Sequence, residues 1–174
     1  MVDLVARMLT IKTGNLLNSG ADVIIHQVNC LGVMGTGVAR QIRERWPEVY
    51  KAYQKKCAEC EKYPDYLLGH TQIVPIGNNK YIANVFGQLG YGPGCSHTVY
   101  DKLESGIIDT IEVFLNYLSH DGVRVGMPWK IGCGLAGGNW RKTYDIIEAI
   151  AKNENVEIEL WKLPEHKEIY EGAE

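Results

Sequence analysis

Two glycine-rich segments of this chain have the composition of a phosphate-binding site. The first loop, residues 29–39, contains three glycines, and the second loop, residues 128–140, contains four. Glycine loses more conformational freedom on folding than other residues. This density therefore indicates a backbone conformation, or a close approach to a ligand, that requires glycine. Bare N–H groups beside a helix N-terminus bind anions. Two such loops in one chain predict a ligand whose diphosphate is held from both sides.

His26 is the first candidate for chemistry, because it interrupts an otherwise apolar run. One interpretation is a core histidine that makes a single side-chain hydrogen bond. The other is a general base or a phosphate partner, since imidazole titrates near neutral pH. The sequence alone leaves both interpretations open.

The cysteines give weaker signals. Cys133 lies between glycines and has the position of a nucleophile. Cys57 and Cys60 form one C-x-x-C pair without a second pair or a nearby histidine, which is weak evidence for zinc. We therefore expect no metal site and no cofactor.

Strand and helix patterns alternate along the chain, and both glycine loops connect a strand to a helix. This alternation predicts an α/β fold, a three-layer α/β/α sandwich with a mixed, largely parallel central sheet. Ligands of such sheets bind at the carboxyl ends of the strands, where both loops lie. Strands are expected near residues 8–12, 22–28, 70–75, 81–86, 123–127 and 156–161, and helices near 38–45, 47–61, 98–120 and 140–152.

Length and charge limit the classes of function. The 174 residues suit a single domain, 1–174, with a core at about 8–163 and a loose polar tail at 164–174. The net charge of −3 argues against tight non-specific binding of nucleic acid. No apolar run is long enough to span a membrane. The chain has five cysteines, an odd number, and its first residues show no signal-peptide pattern. We therefore expect free thiols and a cytoplasmic location.

Three motifs resemble those of the macro domain, a family that binds ADP-ribose and its derivatives. The run Asp22-Val23-Ile24-Ile25-His26-Gln27-Val28-Asn29 resembles the family strand Asp-Ala-Ile-Val-Asn-Ala-Ala-Asn. The stretch at 35–39 resembles its Gly-Gly-Gly-Val-Ala loop, and the stretch at 131–135 resembles its diphosphate loop. The likeness covers residues 8–163 and implies ADP-ribose, or a derivative, as the ligand.

The resemblance also implies roles for single residues. Asp22 would contact the adenine amino group, Asn29 the distal ribose, and Trp161 would stack on adenine. In a third loop, residues 87–97, the aromatic ring of Tyr91 would close over the distal ribose with help from Gln88 and Gly90. The diphosphate would lie against backbone of the first two loops, at Gly35, Thr36, Gly37, Val38, Gly132, Cys133, Gly134, Leu135, Ala136 and Gly137.

Within the family, several stretches resemble the ADP-ribose-1″-phosphate phosphatase branch. These are His26, residues 29–32, the Phe86-Gly87-Gln88 turn and residues 137–140. Hydrolases of the same branch remove ADP-ribose from glutamate or from DNA bases. They carry a lysine in the third loop and, in the glutamate hydrolases, an aspartate after the leucine of the second loop. This chain has Gln88 and Ala136 there.

The resemblance therefore favours a phosphatase acting on ADP-ribose 1″-phosphate, with His26 as its catalytic residue. Two alternatives remain at this point. One is a hydrolase that removes ADP-ribose from protein or nucleic acid, and the other is a module that binds ADP-ribose without cleaving anything. Fold alone does not separate them.

Overall fold

A six-stranded mixed sheet forms the centre of the protein, as described by a computed structural model for residues 8–118 and 122–164. Its spatial order is β1-β6-β5-β2-β4-β3, and every neighbouring pair is parallel except β3 with β4. The strands are β1 (Leu9–Thr13), β2 (Val23–Asn29), β3 (Thr71–Gly77), β4 (Lys80–Gln88), β5 (Arg124–Pro128) and β6 (Glu157–Lys162).

Among the described residues, four α-helices cover the two faces of this sheet. They are α1 (Gly37–Arg45), α2 (Pro47–Glu59), α3 (Tyr100–Val113) and α4 (Trp140–Glu154). A π-helical turn, Phe114–Leu118, continues α3, and short 3-10 turns occur at Leu16–Asn18 and Pro64–Leu67. The predicted three-layer α/β sandwich is confirmed.

The alternation of side chains along β2 explains the three layers. Val23 and Ile25 pack with apolar residues of α3 and α4, in a cluster that includes Ile107 and Ile147. Ile24 points to the opposite face and packs with α1 and α2. A strand that is buried on both faces has a nearly continuous apolar sequence, and β2 has this pattern.

The predicted elements differ from the structure mainly at their ends. The helix expected from residue 98 begins at Tyr100, because Thr98 instead forms an isolated bridge with Gln88. The helix expected to reach residue 61 ends at Glu59. The end of the 98–120 helix and nearly all of the polar tail fall outside the described residues. Among residues 8–118 and 122–164, no helix has both the length and the apolar character needed to cross a membrane.

Gly106 sets how closely α3 can approach the sheet. An added Cβ at this buried position would lie 2.5 Å from Cγ1 of Val85 on β4 and 3.5 Å from the Gly69 carbonyl oxygen. We expect Gly106→Ala to lower the free energy of unfolding by about 1–3 kcal/mol, the usual cost of overpacking, even though alanine favours helix. Urea unfolding measures the change. Glu112→Ala, at an exposed site of the same helix, is the control. A stability gain in Gly106→Ala would contradict this packing.

Candidate functional site

A cleft of about 780 Å³ opens where β2, β4 and β5 end. Asn29, Gln88 and Pro128, the last residues of these three strands, all line it. The cleft brings together twelve of the residues predicted for the site: His26, Asn29, Gly35, Thr36, Gly37, Val38, Gln88, Tyr91, Gly132, Gly134, Leu135 and Ala136. The parallel pairing of β2 with β4 and β5 explains this convergence, since parallel strands end at one edge of the sheet.

One wall of the cleft is the N-terminus of α1. Its N-cap, Thr36, is extended and makes no side-chain cap hydrogen bond, and the first turn has no acidic residue. Gly37 has φ +55, a conformation that suits glycine, and nothing lies within 4 Å of its missing Cβ. The first N–H groups of the helix are therefore available to an anion, and the helix dipole favours one.

The facing wall is the second loop. Its internal backbone hydrogen bonds include those from Gly137 N to the Gly134 oxygen and from Gly138 N to the Gly132 oxygen. Within the described residues, the N–H groups of Gly134, Leu135 and Ala136 make no hydrogen bond. Unpaired backbone donors thus lie on both walls of the cleft, as an anion cradle requires.

Lys130 opens the second loop and adds a cation to the cleft. It is exposed, lines the cleft, and has φ +59, which is uncommon for a residue other than glycine. Sequence reasoning missed it, although a basic residue two positions before Gly132 was a visible signal. Its ammonium group suits an anionic ligand.

Asn29 shapes the first loop from the end of β2. Its Oδ1 accepts hydrogen bonds from the Tyr53 hydroxyl at 2.8 Å and the Leu31 N–H at 3.0 Å, and its Nδ2 donates to the Val33 oxygen at 2.7 Å. The side chain is only 5% exposed. This is an Asx turn, and it leaves one amide hydrogen for a ligand. Tyr53, buried on α2, is a further residue that the sequence did not reveal.

His26 lies in a polar ladder across three strands. Its Nε2 is 2.6 Å from Oδ1 of Asn84 on β4, and Nδ2 of Asn84 donates to Gln72 on β3 at 3.1 Å. Because the Asn84 amide donates to Gln72, its oxygen is the acceptor, and we assign the proton to Nε2 of His26. Burial lowers the pKa of His26 to about 4, although the bond to Asn84 opposes this, so the ring is neutral at pH 7.

The third loop stands beside the other two. Tyr91 is 54% exposed at the cleft, and Nε2 of Gln88 donates to the Gly90 oxygen at 2.7 Å. Gly90 itself does not line the cleft. The third loop also contacts the second, because His97 N–H donates to the Ala136 oxygen at 2.7 Å. The two loops are thus in direct contact.

The structure does not bring Asp22 to the cleft, and the predicted adenine contact is wrong. Asp22 precedes β2 and lines a separate cavity of about 710 Å³ at the opposite edge of the sheet. Its carboxylate accepts from the Lys80 ammonium at 2.9 Å and the Arg124 N–H at 2.8 Å. Burial acts to raise the pKa of Asp22, but these two partners outweigh it and hold the pKa below its ordinary value.

Trp161, Cys133 and Gly137 also lie outside the lining of the cleft. The Trp161 ring packs near Gly14, whose added Cβ would be 3.1 Å away, and its Nε1 donates to Glu159 at 2.9 Å. The stacking of Trp161 on adenine therefore stays a prediction without a contact to the cleft. Burial raises the pKa of the Cys133 thiol, which lies 3.4 Å from the Thr143 hydroxyl, and a raised pKa disfavours the thiolate that a nucleophile needs.

A metal site would require several cysteine, histidine or acidic side chains close together. All five cysteines are free thiols. Among the residues that the structure describes, no group of three or more histidine, cysteine or acidic side chains is arranged to hold a metal ion.

Comparison with known proteins agrees with this geometry. The family model "Macro domain" matches residues 25–147. The chain belongs to the macro domain family. It is 27% identical to the macrodomain of Mycobacterium tuberculosis DarG, with a TM-score of 0.72 over 88% of this chain and 97% of that one.

Two curated relatives carry different names. The "DNA ADP-ribosyl glycohydrolase" of Mycobacterium tuberculosis is 33% identical over 138 residues, which are 76% of this chain and 36% of that protein. The "ADP-ribose 1''-phosphate phosphatase" of Saccharomyces cerevisiae is 28% identical over 166 residues, 80% of this chain and 91% of that protein. This macro domain spans about a third of the length of the glycohydrolase.

The buried neutral state of His26 predicts a pH dependence of stability. The folded-state pKa is about 4 and the ordinary value is 6.5, so between these values the unfolded chain binds more protons than the folded one. Stability then falls as the pH drops from 6.5 to 4, by about 3 kcal/mol for this group. His26→Gln keeps a donor for Asn84 and does not titrate. Urea unfolding at a series of pH values should show a steeper acid loss in the wild type, and equal slopes would contradict the burial of a neutral ring.

Proposed function

We propose that this macro domain binds ADP-ribose or a derivative, with the diphosphate between the first and second loops. The observation that carries the proposal is the pair of facing backbone cradles, one at the uncapped start of α1 and one at residues 134–136. The volume of about 780 Å³ suits a ligand of this size.

The reaction that we favour is release of phosphate from ADP-ribose 1″-phosphate. Water attacks phosphorus, the bond from phosphorus to the ribose oxygen breaks, and the products are inorganic phosphate and ADP-ribose. The yeast relative with this name is matched over 91% of its length. By the resemblance given above, Gln88 lies near the position of the hydrolases' lysine and Ala136 at the position of the glutamate hydrolases' aspartate, which also favours the phosphatase.

In this scheme the cradles and Lys130 hold the anion, and Asn29 orients the distal ribose. Positioning and electrostatic stabilisation then supply much of the rate. His26 lines the cleft and is neutral, so its ring nitrogen that does not bond Asn84 accepts the proton of the attacking water. A base with a pKa of about 4 is weak, which is consistent with slow turnover.

The second candidate is removal of ADP-ribose from nucleic acid. It is favoured by the 33% identity to the mycobacterial glycohydrolase.

The third candidate, a module that binds ADP-ribose without catalysis, is favoured by the burial of His26, which is only 2% exposed. Phosphate release from ADP-ribose 1″-phosphate and ADP-ribose release from modified DNA, measured in parallel, separate the three.

The binding prediction uses Gly134, which has no heavy atom within 4 Å of its missing Cβ. Gly134→Val places a branched side chain in the cradle without a clash in the fold, and we expect it to abolish ADP-ribose binding in calorimetry. Asp22→Ala is the control. Its carboxylate lies at the opposite edge of the sheet, so it should lose stability but keep its affinity. Normal binding by a folded Gly134→Val protein would place the diphosphate elsewhere.

The catalytic prediction compares His26→Gln with the wild type. Glutamine can keep the hydrogen bond to Asn84 but cannot act as a base, so we expect turnover to fall by about 10²-fold with little change in ADP-ribose affinity. The wild-type rate should not titrate near 6.5 and should decline only toward pH 4, the folded-state pKa of His26. If His26→Gln turns over normally, His26 supports the strand and takes no part in the chemistry.

A further inference from the structure

A chain of hydrogen bonds joins the third loop to the second loop through Gln27 on β2. Nε2 of Gln27 donates to Oε1 of Gln88 at 2.7 Å and to Oγ1 of Thr98 at 3.0 Å. Gln88 continues to the Gly90 oxygen at 2.7 Å, and Thr98 continues to the Gly132 oxygen at 2.6 Å. These contacts link residues that are up to 71 positions apart in sequence.

The direction of every bond in this chain is fixed. The Gly90 carbonyl can only accept, so Gln88 presents its amide nitrogen there and its oxygen to Gln27. The Gly132 carbonyl can only accept, so the Thr98 hydroxyl donates its hydrogen there and can only accept from Gln27. Both partners of Gln27 are therefore acceptors, and only the amide nitrogen of Gln27 satisfies both.

This arrangement leaves the other end of the same amide without a partner. Oε1 of Gln27 is buried and makes no hydrogen bond within the described residues. It lies 2.6 Å and 2.8 Å from the positions of a Cβ on Gly87 and Gly132, so a side chain at either glycine would force the Gln27 amide to move. A buried orphan acceptor costs stability. Gln27 shares its strand face with Val23 and Ile25, where an apolar residue would avoid that cost.

We propose that Gln27 is a positioning residue that couples the third loop to the diphosphate-binding second loop. Through Gln88 it fixes Gly90, next to Tyr91, and through Thr98 it fixes Gly132. Seating of the diphosphate and closure of Tyr91 over the distal ribose then occur as one event. This inference rests on the proposed function, because it assigns those two parts of ADP-ribose to the two loops.

The test uses Gln27→Met, which keeps an unbranched side chain of similar size and removes both donors and the orphan oxygen. Gln54→Met is the matched control, since Gln54 is an exposed glutamine on α2 whose amide donates to the Tyr50 hydroxyl. Calorimetry measures affinity for ADP-ribose and for ADP, which lacks the distal ribose. We expect Gln27→Met to weaken ADP-ribose binding by about tenfold or more, within the usual range of coupling between sites. ADP binding should weaken several-fold less, because ADP uses the second loop but has no distal ribose for Tyr91 to cover.

Stability separates positioning from simple structural support. Gln27→Met removes the orphan oxygen but also leaves the Gln88 and Thr98 oxygens without their donor, and because these effects oppose each other we expect thermal unfolding close to the wild-type temperature. Thr98→Val breaks the next link, and the double variant should lose no more ADP-ribose affinity than either single variant. Equal losses for ADP-ribose and ADP, additive losses, or an unfolding temperature far below that of the wild type would overturn the proposal.

A second measurement needs no ligand. Hydrogen exchange of the free protein should speed up in both loops, residues 88–98 and 129–139, in Gln27→Met and in neither loop in Gln54→Met. Faster exchange in one loop alone would contradict the coupling. If the wild type binds neither ADP-ribose nor ADP, the proposed function fails, and the exchange comparison still decides whether Gln27 joins the two loops.

Discussion

Unpaired backbone N–H groups at one edge of the sheet are the constraint on which the rest of the site depends. A folded chain normally pairs its buried backbone groups, and donors are left open only where water or a ligand meets them. Here α1 begins without a side-chain cap and residues 134–136 present free donors. The parallel pairing of β2 with β5 brings both features to the same edge. Because these strands are parallel, two glycine loops that are far apart in sequence lie together and form the proposed cradle.

Polar side chains in the middle of the sheet then fix the loops relative to the strands. His26 and Gln27 are neighbours on β2, so their side chains point to opposite faces. His26 joins β2 to β4 and β3 beneath α2, since Gln72 goes on to donate to the Ala52 oxygen at 3.0 Å. Gln27 joins β2 to the second and third loops on the other face. The bond between His26 and Asn84 is buried and the others are partly buried, so an altered partner leaves a polar group with little water to replace the lost bond.

Local pattern was enough to predict the elements and the positions of the two glycine loops at the cleft. Apolar periodicity gave the strands and helices to within a few residues, and glycine density gave the loops. Asp22 was misplaced because a resemblance in strand sequence does not say which end of the strand meets the ligand. Its partners, Lys80 and Arg124, come from two other strands. Thr98 lies 71 residues from Gln27, and no local spacing predicts that contact. The polar interruption at His26 and Gln27 was visible, but its hydrogen-bond partners were not.

Carboxylates elsewhere on the sheet are bound by cations and N–H groups of the protein itself. Glu159 on β6 is only 1% exposed, and it is bound by Arg124 at 2.9 Å, by Lys12 at 3.5 Å and by Trp161 at 2.9 Å. Burial acts to raise the pKa of Glu159, but these partners outweigh it and lower the pKa. Asp22 is likewise satisfied by its own chain. α2 and α3 also begin without a side-chain cap, so an uncapped start alone does not distinguish α1. What distinguishes α1 is that its start lies at the cleft together with the unpaired N–H groups of residues 134–136, and this juxtaposition supports the external anion proposed as their partner.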